Sequence, residues 1–530
     1  MAWRGHVYSL FICSAVLSER CCNADGRGRT QEDSGNNMNW ATRYYQQPLD
    51  HFNFPSDNYA QRYLVCDTWW RRSCTSFQNK LSTSADSTRY LRPESTRDAF
   101  SDESMKYSDL AGRVLFFAGH ESDIIEYAST GAGFVWKMAE DLEAVLVFSE
   151  HRGYGQSPVE YRHLSAKQAL ADHARLASEI RSEYCNAHVV VIGASYGGML
   201  AAWLRRDFPQ IFLGAYASSG PVVGFTGMTP PTRVYDLTSS NFKCAPQVGD
   251  AFRQLRVLLF SNKGRLEIGQ RLELCASLHV NQQDALIGFL QKCFVTLAES
   301  NLPYPRGHLP AHPAVHACSA FPAHNSSHSF LDSMKAVLDL ADPLGARACR
   351  SPDLSAFANF LPGMLPGAWS RQRCTDILLP AQVGPLAPLF MPCEDFKPNC
   401  WDVREWGRFC NRSHGVLPDP GYGWLTFGPK SSWRSTTNVL FVNGDRDPWF
   451  SGGLSPEDVS YGFPGVESIL IEKASHHFEL LKPDPATDSA SITHARKRIF
   501  DIVSGWFNGK ELVSNSHMSS SAAESAHVSL

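Results

Sequence analysis

The chain has 530 residues, a formal net charge of −4 at pH 7 and a hydrophobic content of 43%. This length and apolar content are enough for a large buried core. A charge so close to zero excludes a polyelectrolyte, and nothing in the composition indicates nucleic-acid binding.

The first 24 residues are typical of a secretory signal peptide. Arg4 and His6 precede an apolar run over 7–17 that is too short to span a bilayer. No later stretch approaches the length of a membrane helix, so no membrane span is predicted. Glycosylation sequons at Asn325 and Asn411 fit export into the secretory pathway.

Cysteine usage also indicates an exported protein. Of 15 cysteines, three lie in or near the signal peptide. The remaining 12 are an even number, which predicts disulfides in an oxidising compartment. No C-x-x-C pair occurs, so neither a metal site nor another cofactor is expected.

Strand-like runs alternate with helix-like ones through the first part of the chain. Strands are predicted at 114–117, 144–148, 189–192 and 214–217, and a helix at 166–184. The alternation predicts a parallel sheet with right-handed crossovers. It stops near residue 226, gives way to a Cys- and Pro-rich helical region, and returns at 439–442 and 469–471.

Ser195 stands in a G-x-S-x-G run, directly after the predicted strand 189–192 and before a predicted helix over 199–206. A strand, a glycine-rich turn and a helix in immediate succession are the nucleophile elbow of an α/β-hydrolase. The predicted fold is therefore an α/β-hydrolase with a large helical, disulfide-containing insertion. The hydrolase parts are predicted at 40–225 and 435–509, the insertion at 226–434, and disorder at 73–109 and 510–530.

A catalytic serine needs a base and an orienting acid, which follow it in this order: serine, acid, histidine. Asp445 and Asp447 follow one returning strand, and His476 and His477 follow the other. Asp447 is favoured because Pro448 holds it extended, whereas Asp445 lies in a turn signal. The two histidines stay open at this point, since neighbouring side chains of an extended loop point different ways.

Two backbone N–H groups are expected to bind the oxyanion of the reaction. One belongs to Tyr196, the residue after the nucleophile. The other comes from the loop after the predicted strand 114–117, where His120 is the candidate.

Several separated motifs resemble the serine peptidase family of lysosomal Pro-X carboxypeptidase and dipeptidyl peptidase II. They lie at 61–65, 123–125, 133–136, 146–152, 168–172, 193–203, 443–453 and 474–478. The resemblance implies Asp447 as the acid, His476 as the base and the insertion as a cap over the active site. It also implies a proline pocket lined by Met199 and Trp449, peptide substrates with proline near a terminus, and a lysosome-like acidic compartment or an extracellular location.

The predicted function is a serine exopeptidase that releases a C-terminal residue after proline through an acyl-enzyme, because 123–125, 134–136 and 201–203 look closer to the carboxypeptidase branch. The alternatives are release of N-terminal X-Pro dipeptides, a lipase or esterase on the same fold, and a non-catalytic binding protein. The last arises because the family's Gly-Asn-Glu-Gly-Asp is here Gly-His-Glu-Ser-Asp at 119–123. A homodimer stays open.

Overall fold

The computed structural model of this chain describes residues 39–70, 112–321, 329–345, 348–350, 367–460 and 462–509. The predicted signal peptide, the predicted disordered segments 73–109 and 510–530, and Asn325 lie outside these residues. Within them, no helix is long and apolar enough to cross a membrane.

Eight strands form one sheet in the order β1-β2-β4-β3-β5-β6-β7-β8. Among the described strands, β2 runs antiparallel to β1 and β4, and all other neighbouring pairs are parallel. This is the strand order of an α/β-hydrolase, so the predicted fold class is confirmed. The strands are β1 Ala41–Pro48, β2 Asn58–Cys66, β3 Arg113–Ala118, β4 Val145–Ser149, β5 His188–Ala194, β6 Phe212–Ser218, β7 Thr437–Gly444 and β8 Gly465–Ile471.

Helices cover both faces of this sheet and also build the insertion. In chain order the described helices are α1 Gly133–Asp141, α2 Ala166–Glu183, α3 Tyr196–Asp207, α4 Arg233–Ser240, α5 Ala245–Leu259, α6 Asn262–Arg271, α7 Gln283–Glu299, α8 Pro313–Ser319, α9 Phe330–Ala341, α10 Ala368–Thr375, α11 Val403–His414, α12 Tyr422–Phe427, α13 Pro456–Ser460 and α14 Ala490–Phe507. Parallel strands with both faces covered are buried, which explains their continuous apolar runs.

The sheet has a separate apolar core on each face. On one face, α2 and α3 pack against the sheet, and the predicted apolar positions Leu170, Ala174, Ala177 and Ile180 of α2 all enter that core. On the other face, α1 and α14 pack against the sheet. The elbow strand β5 lies inside the sheet between β3 and β6, so its C-terminal end emerges near the middle of one sheet edge.

Helices α4 to α12 form the insertion between β6 and β7, and much of it surrounds an apolar core of its own. Four disulfides lie inside it: Cys244–Cys318, Cys275–Cys349, Cys374–Cys410 and Cys393–Cys400. The predicted disulfides are thereby confirmed for these eight cysteines. Two parts of the insertion reach the sheet edge: α4 packs against the turn after β7, and α10 packs beside α3.

A buried ion pair fixes the loop that follows β4. Arg152 donates to both carboxylate oxygens of Asp172 on α2, at 2.6 and 2.7 Å, and both side chains are fully buried. Arg152 also donates to the carbonyl oxygens of Pro48, Leu49 and His163. This bidentate pair holds the neighbouring His151 close to the first residue of α3.

Candidate active site

Ser195 occupies a strained backbone conformation between β5 and α3, with φ 55° and ψ −124°. A non-glycine residue held there costs about 1–3 kcal/mol, which the surrounding structure must offset. A side chain on Gly193 would lie 2.0 Å from the carbonyl oxygen of Gly197, and one on Gly198 would lie 2.6 Å from that of Ser218. The glycines of the motif are therefore required by close packing of the chain.

Asp447 and His476 meet at the same sheet edge. Asp447 follows β7 and is fully buried, and its Oδ2 lies 2.8 Å from Nδ1 of His476, which follows β8. Its Oδ1 accepts the N–H of Trp449 at 2.9 Å. Asp445 has no contact of this kind in the described chain, where its N–H donates to the carbonyl of Ile471.

The loop carrying the two histidines is not extended, contrary to the prediction. His477 adopts a left-handed conformation, with φ 39° and ψ 38°, and the two imidazole centroids are 4.4 Å apart. His477 Nε2 lies 3.2 Å from the hydroxyl of Tyr127, and its N–H donates to Ser219 Oγ. Burial, reinforced by His476, holds the pKa of His477 well below its usual 6.5.

The partly exposed Ser195 is tied to the histidine loop through the end of β6. The N–H of Ser195 donates to the carbonyl of Ser218 at 2.9 Å, and the next residue, Ser219, accepts the N–H of His477. Among the described residues, Ser195 Oγ forms no hydrogen bond with His476. Such contacts are often long without substrate and shorten when it binds.

The loop after β3 lies directly against the elbow. A side chain on Gly197 would be 2.7 Å from the carbonyl of Ala118 and 3.4 Å from Cβ of His120. Tyr196 is the first residue of α3, so the helix itself does not use its N–H. The N–H of Gly119 donates to the carbonyl of Ser149, which removes it from the candidate oxyanion donors and leaves His120 as the candidate in this loop.

His120 belongs to this loop, and its side chain is buried. Its Nδ1 lies 2.9 Å from Glu121 Oε2, while its Nε2 has no partner in the described part of the chain. Its ring meets that of Tyr127 edge to face, with centroids 4.6 Å apart. His120 thus links the loop after β3 to the ring that contacts His477.

An apolar pocket opens beside the acid loop. Its lining comes from the segment after β6, from the insertion and from the turn after Asp447: Pro221, Gly224, Thr229, Pro230, Val234, Leu379, Pro380, Trp449, Ser451 and Gly452. Trp449 is thus one wall of this pocket. Met199 is fully buried in the core beneath α3 and does not line this pocket, so the structure does not bring the two predicted residues together here.

Sequence reasoning missed Glu299, the last residue of α7. Its Oε1 accepts the indole N–H of Trp449 at 2.6 Å, and its carbonyl accepts the N–H of His476 at 3.3 Å. It also missed Leu379 and Pro380, which lie in the insertion far from any catalytic motif. No local pattern marks these residues, because their role comes from contacts across the fold.

Two further predictions concern modification and metal binding. Asn411 lies exposed on α11, where a glycan has access. No group of three or more potential metal-ligating side chains occurs among the residues that the structure covers.

Comparison with known proteins gives the family. Residues 103–331 and 391–499, more than half of the chain, match the family described as Serine carboxypeptidase S28. The chain belongs to the serine carboxypeptidase S28 family. It is similar to Lysosomal Pro-X carboxypeptidase from Bos taurus, with 28% identity over 501 residues that cover 89% of each chain. It is also similar to Lysosomal Pro-X carboxypeptidase from Homo sapiens, with 29% identity over 492 residues that cover 88% of each chain.

As a member of the S28 family, this chain is a serine peptidase. Among solved structures, Proline iminopeptidase from Mycobacterium smegmatis is 11% identical and covers 88% of this chain and 99% of its own, with a TM-score of 0.31. The elbow, the buried acid and its histidine partner lie within the ranges that match the family.

The close approach at Gly197 gives a test of the elbow. We expect Gly197→Ala to lower peptidase activity at least about tenfold, because the new methyl group must displace the loop after β3. The matched control is Gly288→Ala on α7, where the added methyl group has no neighbour within 4 Å. This change also replaces a poor helix former with a good one. Peptide hydrolysis and thermal unfolding of both variants check this. Full activity in the Gly197 variant would contradict the assigned packing.

Proposed function

We propose that this S28 peptidase is of the Pro-X carboxypeptidase type, with Ser195, Asp447 and His476 as its catalytic triad. The observation that carries the proposal is the contact between buried Asp447 and His476 Nδ1 at the edge where the Ser195 elbow emerges. The names of the relatives in cattle and human support the substrate class.

In the proposed mechanism, His476 Nε2 takes the proton of Ser195 as Oγ attacks the carbonyl carbon of proline. Asp447 accepts Nδ1–H, which leaves Nε2 free as the base and stabilises the imidazolium that forms. Backbone N–H groups of Tyr196 and of the loop at His120 bind the oxyanion. His476 then protonates the leaving amine, and water hydrolyses the acyl-enzyme by the same steps.

The apolar pocket is the proposed site of the proline ring. Trp449, Leu379 and Pro380 supply flat or rigid apolar walls, and Trp449 is two residues from the acid. A ring without a backbone N–H loses little by entering such a site, whereas a polar side chain would lose its hydrogen bonds to water. Met199 is proposed to support this region from the core.

The proposed location is the secretory pathway, either an acidic lysosome-like compartment or the outside of the cell. The four disulfides inside the insertion require an oxidising compartment during folding. The relatives described as lysosomal support the acidic compartment, whereas the raised pKa of His476 favours the neutral pH outside the cell.

Release of N-terminal X-Pro dipeptides is the second candidate. It is favoured by one observation: the Glu299 side chain, 19% exposed and 3.6 Å from Lys292 Nζ, holds a carboxylate against the indole of Trp449, one wall of the pocket. A dipeptidyl peptidase needs an acid of this kind for the substrate amine, whereas a carboxypeptidase needs a cation for the substrate carboxylate.

Product analysis decides between the two polarities. We incubate the protein with a peptide that carries proline next to the last residue and also at the second position, and identify the products by mass spectrometry. The proposal expects a free C-terminal amino acid, lost in Ser195→Ala and kept in the control Ser178→Ala, an exposed serine on α2. Release of an X-Pro dipeptide would show a dipeptidyl peptidase instead of a carboxypeptidase. Cleavage of acyl esters without cleavage of peptides would show an esterase.

The pH profile tests the role of His476. Burial alone would lower its pKa, but Asp447, Glu299 and Glu121 outweigh burial, so its pKa lies above the usual 6.5. Because the base acts in its neutral form, kcat/KM should fall as pH drops through that raised pKa. Glu299→Gln keeps an acceptor for the Trp449 indole but removes a charge, so the acidic limb should move to lower pH.

The control for this experiment is Glu405→Gln on α11, which is exposed and distant from the histidine in the chain. Its acidic limb should stay where the wild-type limb lies. A wild-type limb at or below 6.5 would contradict the raised pKa of His476, and an unchanged limb in Glu299→Gln would contradict the contribution of Glu299 to that pKa.

A further inference from the structure

Gln372 is a buried polar residue of the insertion that lies against the elbow. It belongs to α10, has no exposed surface, and is two residues before Cys374, which the disulfide to Cys410 ties to α11. Its Nε2 is 3.2 Å from the hydroxyl of Tyr196, the residue that directly follows Ser195. Its Oε1 accepts the hydroxyl hydrogen of Tyr154.

Four fully or almost fully buried groups form a hydrogen-bond chain whose direction is fixed. Burial lowers the pKa of His151 to about 3, so its ring is neutral. Its Nδ1 lies 2.6 Å from the carbonyl oxygen of Arg152 and must donate, which leaves Nε2 as an acceptor. Nε2 is 3.1 Å from the Tyr196 hydroxyl, so Tyr196 donates to His151.

The remaining link then has one polarity. Since the Tyr196 hydroxyl uses its hydrogen on His151, it can only accept from the Gln372 amide, and the amide oxygen is left to accept from Tyr154. In this hydrogen-bond chain, the Gln372 amide N–H has an acceptor in Tyr196 and its amide oxygen has a donor in Tyr154. The amide supplies both the donor and the acceptor that these two contacts need.

The chain of contacts holds the residue whose peptide carries the proposed oxyanion donor. Tyr196 is the first residue of α3, and its N–H belongs to the peptide that joins it to the strained Ser195. Its ring also lies 5.4 Å from that of Trp369, another α10 residue. Trp369 thus contacts the ring of Tyr196 and Gln372 binds its hydroxyl. These two contacts from the insertion oppose rotation of the Ser195–Tyr196 peptide.

We propose that Gln372 is a positioning residue for catalysis: by donating to the Tyr196 hydroxyl it holds the Ser195–Tyr196 peptide in the orientation that oxyanion binding requires. The insertion is then needed for the chemical step as well as for lining the pocket. This inference rests on the proposed function, in which the Tyr196 N–H binds the oxyanion.

The expected effect is on the transition state and little on substrate binding. An oxyanion donor that is lost outright costs about 10²–10³ in kcat, so a displaced one should cost roughly tenfold to a hundredfold. Gln372→Leu keeps the approximate size of the side chain and removes its hydrogen bonds with Tyr196 and Tyr154, and also the one with Asp376. We expect its kcat to fall by that factor with KM within about twofold of wild type.

The experiment measures kcat and KM of wild type, Gln372→Leu, Tyr196→Phe and the double variant on whichever peptide the wild type cleaves. Tyr196→Phe removes the hydroxyl but keeps the ring, so it tests the same contact if the first variant fails to fold. Both changes remove the hydrogen bond between Gln372 and Tyr196, and each also removes one other, from Tyr154 or to His151. If the shared bond sets the rate, the double variant should be no slower than the slower single variant by more than about twofold. Thermal unfolding reports on the fold of each protein.

The matched control is Gln382→Leu, in the same insertion. Gln382 is half-buried and its Oε1 accepts the N–H of Trp401 at 3.2 Å, away from the elbow. It should lose stability without a change in kcat. A kcat within twofold of wild type in Gln372→Leu and Tyr196→Phe, or multiplying losses in the double variant, would overturn the proposal. A wild type that cleaves no peptide would instead overturn the proposed function.

Discussion

The positive φ at Ser195 is the constraint around which the site is built. Such a conformation persists only where neighbouring chain leaves no alternative. Here the limits come from backbone: Gly193 faces the carbonyl of Gly197, and Gly198 faces the carbonyl of Ser218. The N–H of Ser195 is bound to that same carbonyl of Ser218. The central strands β5 and β6 thus fix the serine, while loops after β3, β7 and β8 carry the groups proposed to act on it.

The insertion contributes to the site at three separate points. Leu379 completes the apolar pocket, Glu299 contacts both the Trp449 indole and the His476 backbone, and Gln372 binds the Tyr196 hydroxyl. Each contact reaches a different functional element: the substrate pocket, the histidine loop and the elbow. One disulfide, Cys374–Cys410, ties the helix that carries Gln372 to α11. Removal of the insertion would leave buried polar groups of the hydrolase part unpaired.

Local sequence patterns singled out Ser195 and Asp447 as candidates, because each depends on chemistry close in the chain. A β-branched strand directly before G-x-S-x-G is typical of a nucleophile elbow. Pro448 distinguishes Asp447 from Asp445, because it favours an extended conformation for the residue before it. The left-handed turn at His477 had no such signal, and the expected extended loop was wrong. Gln372 was equally invisible, since its partner Tyr196 is 176 residues away in the chain. Contacts of this kind depend on how the insertion packs, which periodicity does not encode.

Covalent labelling with a fluorophosphonate tests the central claim, that the elbow presents Ser195 as a nucleophile activated by His476. The probe phosphonylates a serine only when its hydroxyl is deprotonated during attack. The account predicts one adduct per chain, located at Ser195 by peptide mass mapping, with labelling slowed by orders of magnitude in Asp447→Asn. An adduct on another serine, or equal labelling rates in wild type and Asp447→Asn, would contradict it.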